Sequence, residues 1–112
     1  MRRGEIRWYR FHKPDKRRPV LLLTRTSIIG YLNEVTVAPL TRTVRDIPSE
    51  IVLSEEDSVP YTCAVNCDHL QTVSKANLGA LVATLGPRKM REVCGAVAFA
   101  LDLGPMGWES SN

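Results

Sequence analysis

Apolar positions in this chain follow two different periods. Through the first 74 residues or so they alternate or run in short blocks, and after Pro87 they recur every three or four residues. Glu5–Phe11 sets Ile6 and Trp8 on one face and Arg7 and Tyr9 on the other, the period of a half-buried strand. His12–Arg18 is a polar connection whose Lys13-Pro14-Asp15-Lys16 is turn-like. Val20-Leu21-Leu22-Leu23-Thr24, directly after Pro19, is a continuous apolar run that suits a central strand covered on both faces. Ile29–Asn33 predicts a turn leading into Glu34–Leu40, where Val35 and Val37 alternate with Thr36. Pro48 introduces a short strand over Ser49–Leu53. Thr62–Asn66 and His69–Val73 complete the strands, separated by the polar Cys67-Asp68. The helical stretch opens on Gly86-Pro87, and Pro fits the first turn of a helix. Met90, Val93, Val97 and Leu101 then form an apolar stripe, with Cys94 and Ala100 beside it, until Gly104-Pro105 ends it. Many short strands followed by one strong helix predict an α+β fold: a small, strongly curved β-sheet or barrel with a C-terminal helix packed against it.

At 112 residues the chain is expected to form one domain over 1–104, with 105–112 as a flexible C-terminal tail. A core of this size would gain useful burial from dimerisation. The formal net charge of +3 and pI near 9.0 permit a polyanionic partner without requiring one. The distribution is more informative. Residues 1–18 carry Arg2, Arg3, Arg7, Arg10, Lys13, Lys16, Arg17 and Arg18 against Glu5 and Asp15, whereas Asp46, Glu50, Glu55, Glu56 and Asp57 make residues 46–57 acidic. That acidic stretch matches no metal motif and predicts a solvated loop. The charged N-terminus lacks the apolar core of a signal peptide, and Val20–Leu23 and Ala96–Leu101 are too short to span a bilayer, so a cytoplasmic protein is expected. Its three cysteines are expected as free thiols, with Cys63 and Cys94 in the core. Cys63, Cys67 and His69 share one face of an extended strand but lack a second ligand pair, so neither a metal site nor a cofactor is expected.

Two features carry chemistry. Arg17-Arg18 stands immediately before an apolar strand, and Thr41 closes the strand that ends Val37-Ala38-Pro39-Leu40-Thr41. A guanidinium and a hydroxyl delivered by strand ends suit a site that grips a phosphodiester. Trp8, Tyr9 and Phe11 alternate with Arg7 and Arg10, so that rings can stack bases beside phosphate contacts, although Trp8 shares a face with Ile6 and is expected in the core. His12 and His69 are the only histidines; His12 lies in the basic connection and is the one placed to touch a ligand.

Arg3-Gly4-Glu5-Ile6, Lys16-Arg17-Arg18-Pro19-Val20-Leu21, Val37-Ala38-Pro39-Leu40-Thr41, Ile47-Pro48-Ser49-Glu50-Ile51-Val52-Leu53 and Leu70-Gln71-Thr72-Val73 occur in this order from Arg3 to Leu103. Together they make the chain resemble the MazF/PemK toxins of type II toxin–antitoxin systems. The resemblance implies an SH3-like barrel, PemK- and CcdB-like, with a C-terminal helix, usually as a homodimer. It implies a sequence-specific endoribonuclease that cuts single-stranded RNA without metal, and a cognate antitoxin that covers the RNA groove. Arg18 and Thr41 match the family's catalytic arginine and threonine, and His12, Lys16, Arg17 and Gln71 are expected around the groove as RNA-binding residues. Attack of a ribose 2′-OH on its own phosphorus builds negative charge on phosphoryl oxygens, and fixed donors aimed there lower the barrier. The implied products are a 2′,3′-cyclic phosphate and a 5′-hydroxyl; the general acid and base stay unassigned. The loop over Phe11–Lys16 is short, basic and free of glycine compared with the family, which fits a groove open to structured RNA such as a tRNA loop as well as to mRNA or rRNA. The same barrel also serves noncatalytic toxins that bind DNA gyrase, and a degenerate RNA-binding member is a further alternative.

Overall fold

A computed structural model describes residues 1–10 and 17–104. Among these residues seven strands and two α-helices follow in order: β1 Glu5–Arg10, β2 Arg17–Leu22, α1 Thr26–Ile29, β3 Glu34–Thr41, β4 Glu50–Leu53, β5 Cys63–Asn66, β6 Gln71–Ser74, β7 Leu78–Thr84 and α2 Pro87–Leu101. The strands pair antiparallel along the path β4-β5-β3-β2-β1-β7, with β6 alongside β3. The sheet is not closed; β4 and β7 form its two ends. β3 is its axis. One edge pairs with β2, while the other pairs first with β6 through Glu34–Val37 and then with β5 through Leu40 and Thr41. Pro39, which has no N–H to give a ladder, stands where that second edge changes partner.

Alternation separates two cores. Ile6, Leu21, Ala38 and Leu40 point to one face, where Leu53, Val65, Val93 and Ala96 join them. Val20, Leu22, Val35, Val37 and Val73 point to the other and are roofed by Ile29 of α1, with Tyr9 and Leu78 at the margin. β2 lies between two neighbours and its apolar residues serve both cores, so the unbroken run Val20-Leu21-Leu22 is buried throughout. The strand starts earlier than its apolar run. Arg17 and Arg18 already belong to the ladder, opposite Arg10 and Tyr9.

Helix α2 begins with Pro87 after the cap residue Gly86 and ends on Asp102 in the left-handed region. Its buried spine is Val93 and Ala96, flanked by the half-buried Met90, Val97 and Ala100. Two expectations for this helix need correction. Leu101 is 49% exposed, because the last turn runs beyond the core that Val93 and Ala96 cover. Cys94 is also exposed; the residue next to the spine points to the helix flank, where its Sγ accepts a 3.1 Å hydrogen bond from Arg3 Nη2. Cys63 is buried as expected, and so is Cys67. Gly4, at φ 97°, donates its N–H to Leu22 O and accepts from Leu85 N, tying the start of β1 to the ends of β2 and β7 in a conformation that a side chain would strain.

Burial holds both inner thiols in their neutral form. It pushes Cys67 up to about 11, with Asp68 reinforcing the effect, and raises Cys63 in the same direction. A thiol that ionises near 9.0 when unfolded but keeps its proton to about 11 when folded makes the native state lose stability as pH rises between those values. The urea midpoint is therefore expected to fall from pH 9 to pH 11, and to fall less in Cys67→Ala. Iodoacetamide at pH 8 should label Cys94 well before Cys63 or Cys67.

Candidate functional site

The β1–β2 register sets Arg18 opposite Tyr9. The β2–β3 register runs Leu22↔Val37, Leu21↔Ala38, Val20↔Pro39. By alternation Arg18 lies on the face of Val20, and Thr41 lies on the face of Val20's partner Pro39. The two residues singled out from sequence, 23 positions apart in the chain, thus reach one end of the β2–β3 pair on one face. Gln71 joins that face, since it lies opposite Val37. Where β3 passes to β5, Thr41 stands opposite Ala64, and Asn66 and its partner Glu50 continue the same face two residues on.

Arg18 is exposed, and among the described residues no carboxylate lies within ion-pair distance of it. Its charge is available to an anion. Thr41 Oγ1 accepts a 3.1 Å hydrogen bond from Thr43 N, which turns the chain out of β3. That bond uses an acceptor lone pair, so the hydroxyl can still donate its proton. Both groups can therefore act as donors toward phosphoryl oxygens.

A polar layer behind Thr41 was not legible beforehand. Glu50, expected in a solvated loop, begins β4 and is buried. Its Oε1 accepts from Arg45 N at 2.9 Å, and its Oε2 lies 3.3 Å from Arg45 Nε. This pins the segment after Thr41 back onto the sheet. Asn66 is also buried, with Oδ1 accepting from Asp68 N at 3.0 Å, and Ser49 Oγ donates to Asp68 Oδ2. Strand alternation gave no signal for Glu50, because it groups that residue with the exposed Val52 and away from Ile51 and Leu53, which face the core. Asp57 is likewise more than a solvated charge: its carboxylate accepts from Ser54 N and pairs with Lys89 at 3.8 Å.

The other sequence candidates separate. His12 and Lys16 lie outside the described residues. His69 is exposed beyond β5. Arg17 belongs to the opposite face of the sheet from Arg18, by strand alternation, with its guanidinium 5.3 Å from the Trp8 ring centroid. The described residues bring together no three His, Cys, Asp or Glu side chains that could hold a metal ion. None of their helices is long and apolar enough to cross a membrane.

A model of the PemK-like, MazF-like toxins of type II toxin–antitoxin systems matches residues 2–101. "Probable endoribonuclease MazF5" of Mycobacterium tuberculosis is 39% identical over 101 residues, covering 89% of this chain and 92% of that protein. "Endoribonuclease MazF3" of the same species is 36% identical over 89 residues, covering 80% and 86%. Among solved structures, the M. tuberculosis toxin MazF-mt6 superposes with a TM-score of 0.82 at 33% identity, covering 89% of this chain and 98% of its own. A mycobacterial endoribonuclease in complex with its cognate antitoxin also gives 0.82, at 27% identity over 93% of this chain and 97% of its own.

Proposed function

This chain belongs to the PemK-like, MazF-like toxins of type II toxin–antitoxin systems, and from that premise we propose that it is an endoribonuclease that cuts single-stranded RNA at short sequence motifs without a metal ion. What supports the reading is the β2–β3 register, Val20 opposite Pro39, from which alternation assigns Arg18 and Thr41 to one face at the same end of the strand pair. The ribose 2′-oxygen attacks the adjacent phosphorus, the bond from phosphorus to the 5′-oxygen breaks, and the products are a 2′,3′-cyclic phosphate and a 5′-hydroxyl. The planar guanidinium of Arg18 holds the two non-bridging phosphoryl oxygens as their charge grows, and the Thr41 hydroxyl donates to a bridging oxygen or orients the 2′-OH. Glu50 acts at one remove, by fixing Arg45 and so the segment that follows Thr41. Gln71 contributes an RNA contact from β6, and His12 and Lys16 contribute contacts from the basic connection between β1 and β2, whereas Arg17 faces away from this groove. The relatives named as endoribonucleases favour this reading over a gyrase-binding inhibitor, which would have no use for an arginine–threonine pair. Incubation of the purified protein with a mixed RNA in EDTA, followed by mapping of the ends, tests it. Cuts that leave 5′-hydroxyl ends support the proposal, and a folded protein that cuts no RNA overturns it.

We take residues 1–104 as one toxin domain followed by a short tail, acting in the cytoplasm, and read the bent, open sheet as an SH3-like barrel left unclosed between β4 and β7. The antitoxin partner offers an acidic segment with apolar anchors, which competes with RNA for the cationic face. We also assign the apolar surface at the end of α2 to a homodimer contact. Phe99, Leu101 and Leu103 are 61%, 49% and 54% exposed there. Beside them Leu23, Leu70, Val97 and Leu103 line a largely apolar cavity of about 340 Å³. Leu101→Asp is expected to shift the sedimenting species from dimer to monomer while leaving the circular dichroism of the fold unchanged.

A further inference from the structure

The face of the sheet opposite Arg18 carries a second group of cations that the cleavage site does not use. Arg10 and Arg17 are direct cross-strand partners on β1 and β2, and both are exposed. Like charges placed opposite each other in an antiparallel pair repel. Among the described residues no carboxylate lies within ion-pair distance of either. Both line a predominantly polar cavity of about 300 Å³ with Trp8, Asn77, Gly79 and Ala80. That volume is at the lower end of small-ligand pockets. Trp8 is half-buried and forms the wall between this cavity and an apolar contact with Pro19 and Tyr61. Beyond Tyr61 stands another cation, Arg42, with its guanidinium 3.8 Å from the ring centroid. One strip therefore runs from the cations Arg10 and Arg17 through Trp8, Pro19 and Tyr61 to the cation Arg42.

We infer that this strip is a second nucleic-acid site, in which the Trp8 cavity takes one nucleotide of a single-stranded RNA outside the bond that is cut. The phosphate lies between Arg10 and Arg17 and relieves their repulsion. The base stacks on the exposed part of Trp8, and Asn77 presents an amide to its edge. An acidic peptide would satisfy the two arginines but has no use for a ring and an amide beside them, so the nucleotide is the better fit. The inference rests on the endoribonuclease reading, and it adds that substrates long enough to reach around the β1–β2 pair bind more tightly than short ones.

The chain has two tryptophans, and Trp108→Phe leaves Trp8 as the only one, excited apart from the tyrosines at the red edge of absorption. In the full chain carrying that change, a 2′-O-methyl RNA dodecamer, which cannot be cut, is expected to quench Trp8 emission, and a tetramer to quench it less. Arg10→Gln is an exposed change that should fold normally. It is expected to weaken dodecamer binding about tenfold and to lower the slope of log K against log salt by about 0.7, the signature of one lost phosphate contact on a single strand. Dodecamer binding that leaves Trp8 emission unchanged and is indifferent to Arg10→Gln would overturn the second site while leaving the nuclease standing. Quenching by a polyglutamate peptide and not by the dodecamer would overturn it in favour of a protein ligand. If the parent protein neither binds the dodecamer nor cuts any RNA, the endoribonuclease reading itself fails, and this site with it.

Discussion

Arg18→Ala is expected to lower the rate of RNA cleavage by about 10²–10³-fold, the range found when a single preorganised donor to a developing oxyanion is removed. The side chain is exposed and makes no ion pair among the described residues, so its loss should leave stability within about 0.5 kcal/mol of the parent. Loss of rate without loss of fold is the outcome that separates a catalytic group from a structural one. Arg18→Lys should recover only part of the rate, because an ammonium keeps the charge but loses the planar fork that binds two oxygens at once. Thr41→Ala should cost less than Arg18→Ala. It removes one neutral donor and also the acceptor that Thr43 N uses, so the turn out of β3 will loosen. Thr41→Ser restores both and should recover most of the activity. Initial rates on a fluorogenic RNA, set beside thermal melts of each variant, make the comparison. Cleavage at the parent rate by a folded Arg18→Ala protein would remove Arg18 from the site.

The β-strand part of the fold was legible wherever apolar residues alternate or run together, because burial on one or both faces leaves that imprint. Val20-Leu21-Leu22 and Val35/Val37 are the plainest instances, and the helix from Pro87 to Leu101 is another. β7 left no such mark. Its Leu78-Gly79-Ala80-Leu81-Val82 is poor in β-branched residues, lies at the open edge of the sheet and pairs with β1 through two irregularities, so little of it is buried. α1 is a single turn, too short for a period to register. Helical spacing pointed to Leu101 as core, yet periodicity says nothing about where the partner surface ends. For the candidate site, Arg18 and Thr41 were legible as residue types at strand ends, and their place on one face of the β2–β3 pair required the register. Glu50 was missed because an acid among other acids reads as solvated; only its place opposite Asn66 on β5 puts it inside. Arg17 shows the converse. Beside Arg18 in sequence it looks like part of one basic pair, and the alternation of β2 sends the two guanidinium groups to opposite faces.

Leu21→Ala carries the largest expected loss of stability. Leu21 is fully buried at the centre of the sheet, between Ile6 on β1 and Ala38 on β3, in the core that α2 covers. Ala38 is too small to fill the space left by a neighbouring leucine. A cavity should therefore persist, at a cost of about 2–5 kcal/mol. For a chain of this length that lowers the melting temperature by on the order of 10 °C, measured at one protein concentration because assembly would also shift it. Leu101→Ala, on the exposed last turn of the same helix-covered side, should change the folding stability of the dissociated protomer by only about 0.5 kcal/mol or less. The cleavage rate links this prediction to the site. Leu21 points to the opposite face from Val20 and Arg18, so Leu21→Ala at 25 °C should lose activity only in proportion to the molecules that unfold. Its rate per folded molecule should match the parent, whereas Arg18→Ala loses rate with its fold intact. A Leu21→Ala protein that stayed folded and yet lost as much rate as Arg18→Ala would mean that the two faces of β2 are not independent, and the placement of the catalytic groups on one face would fall.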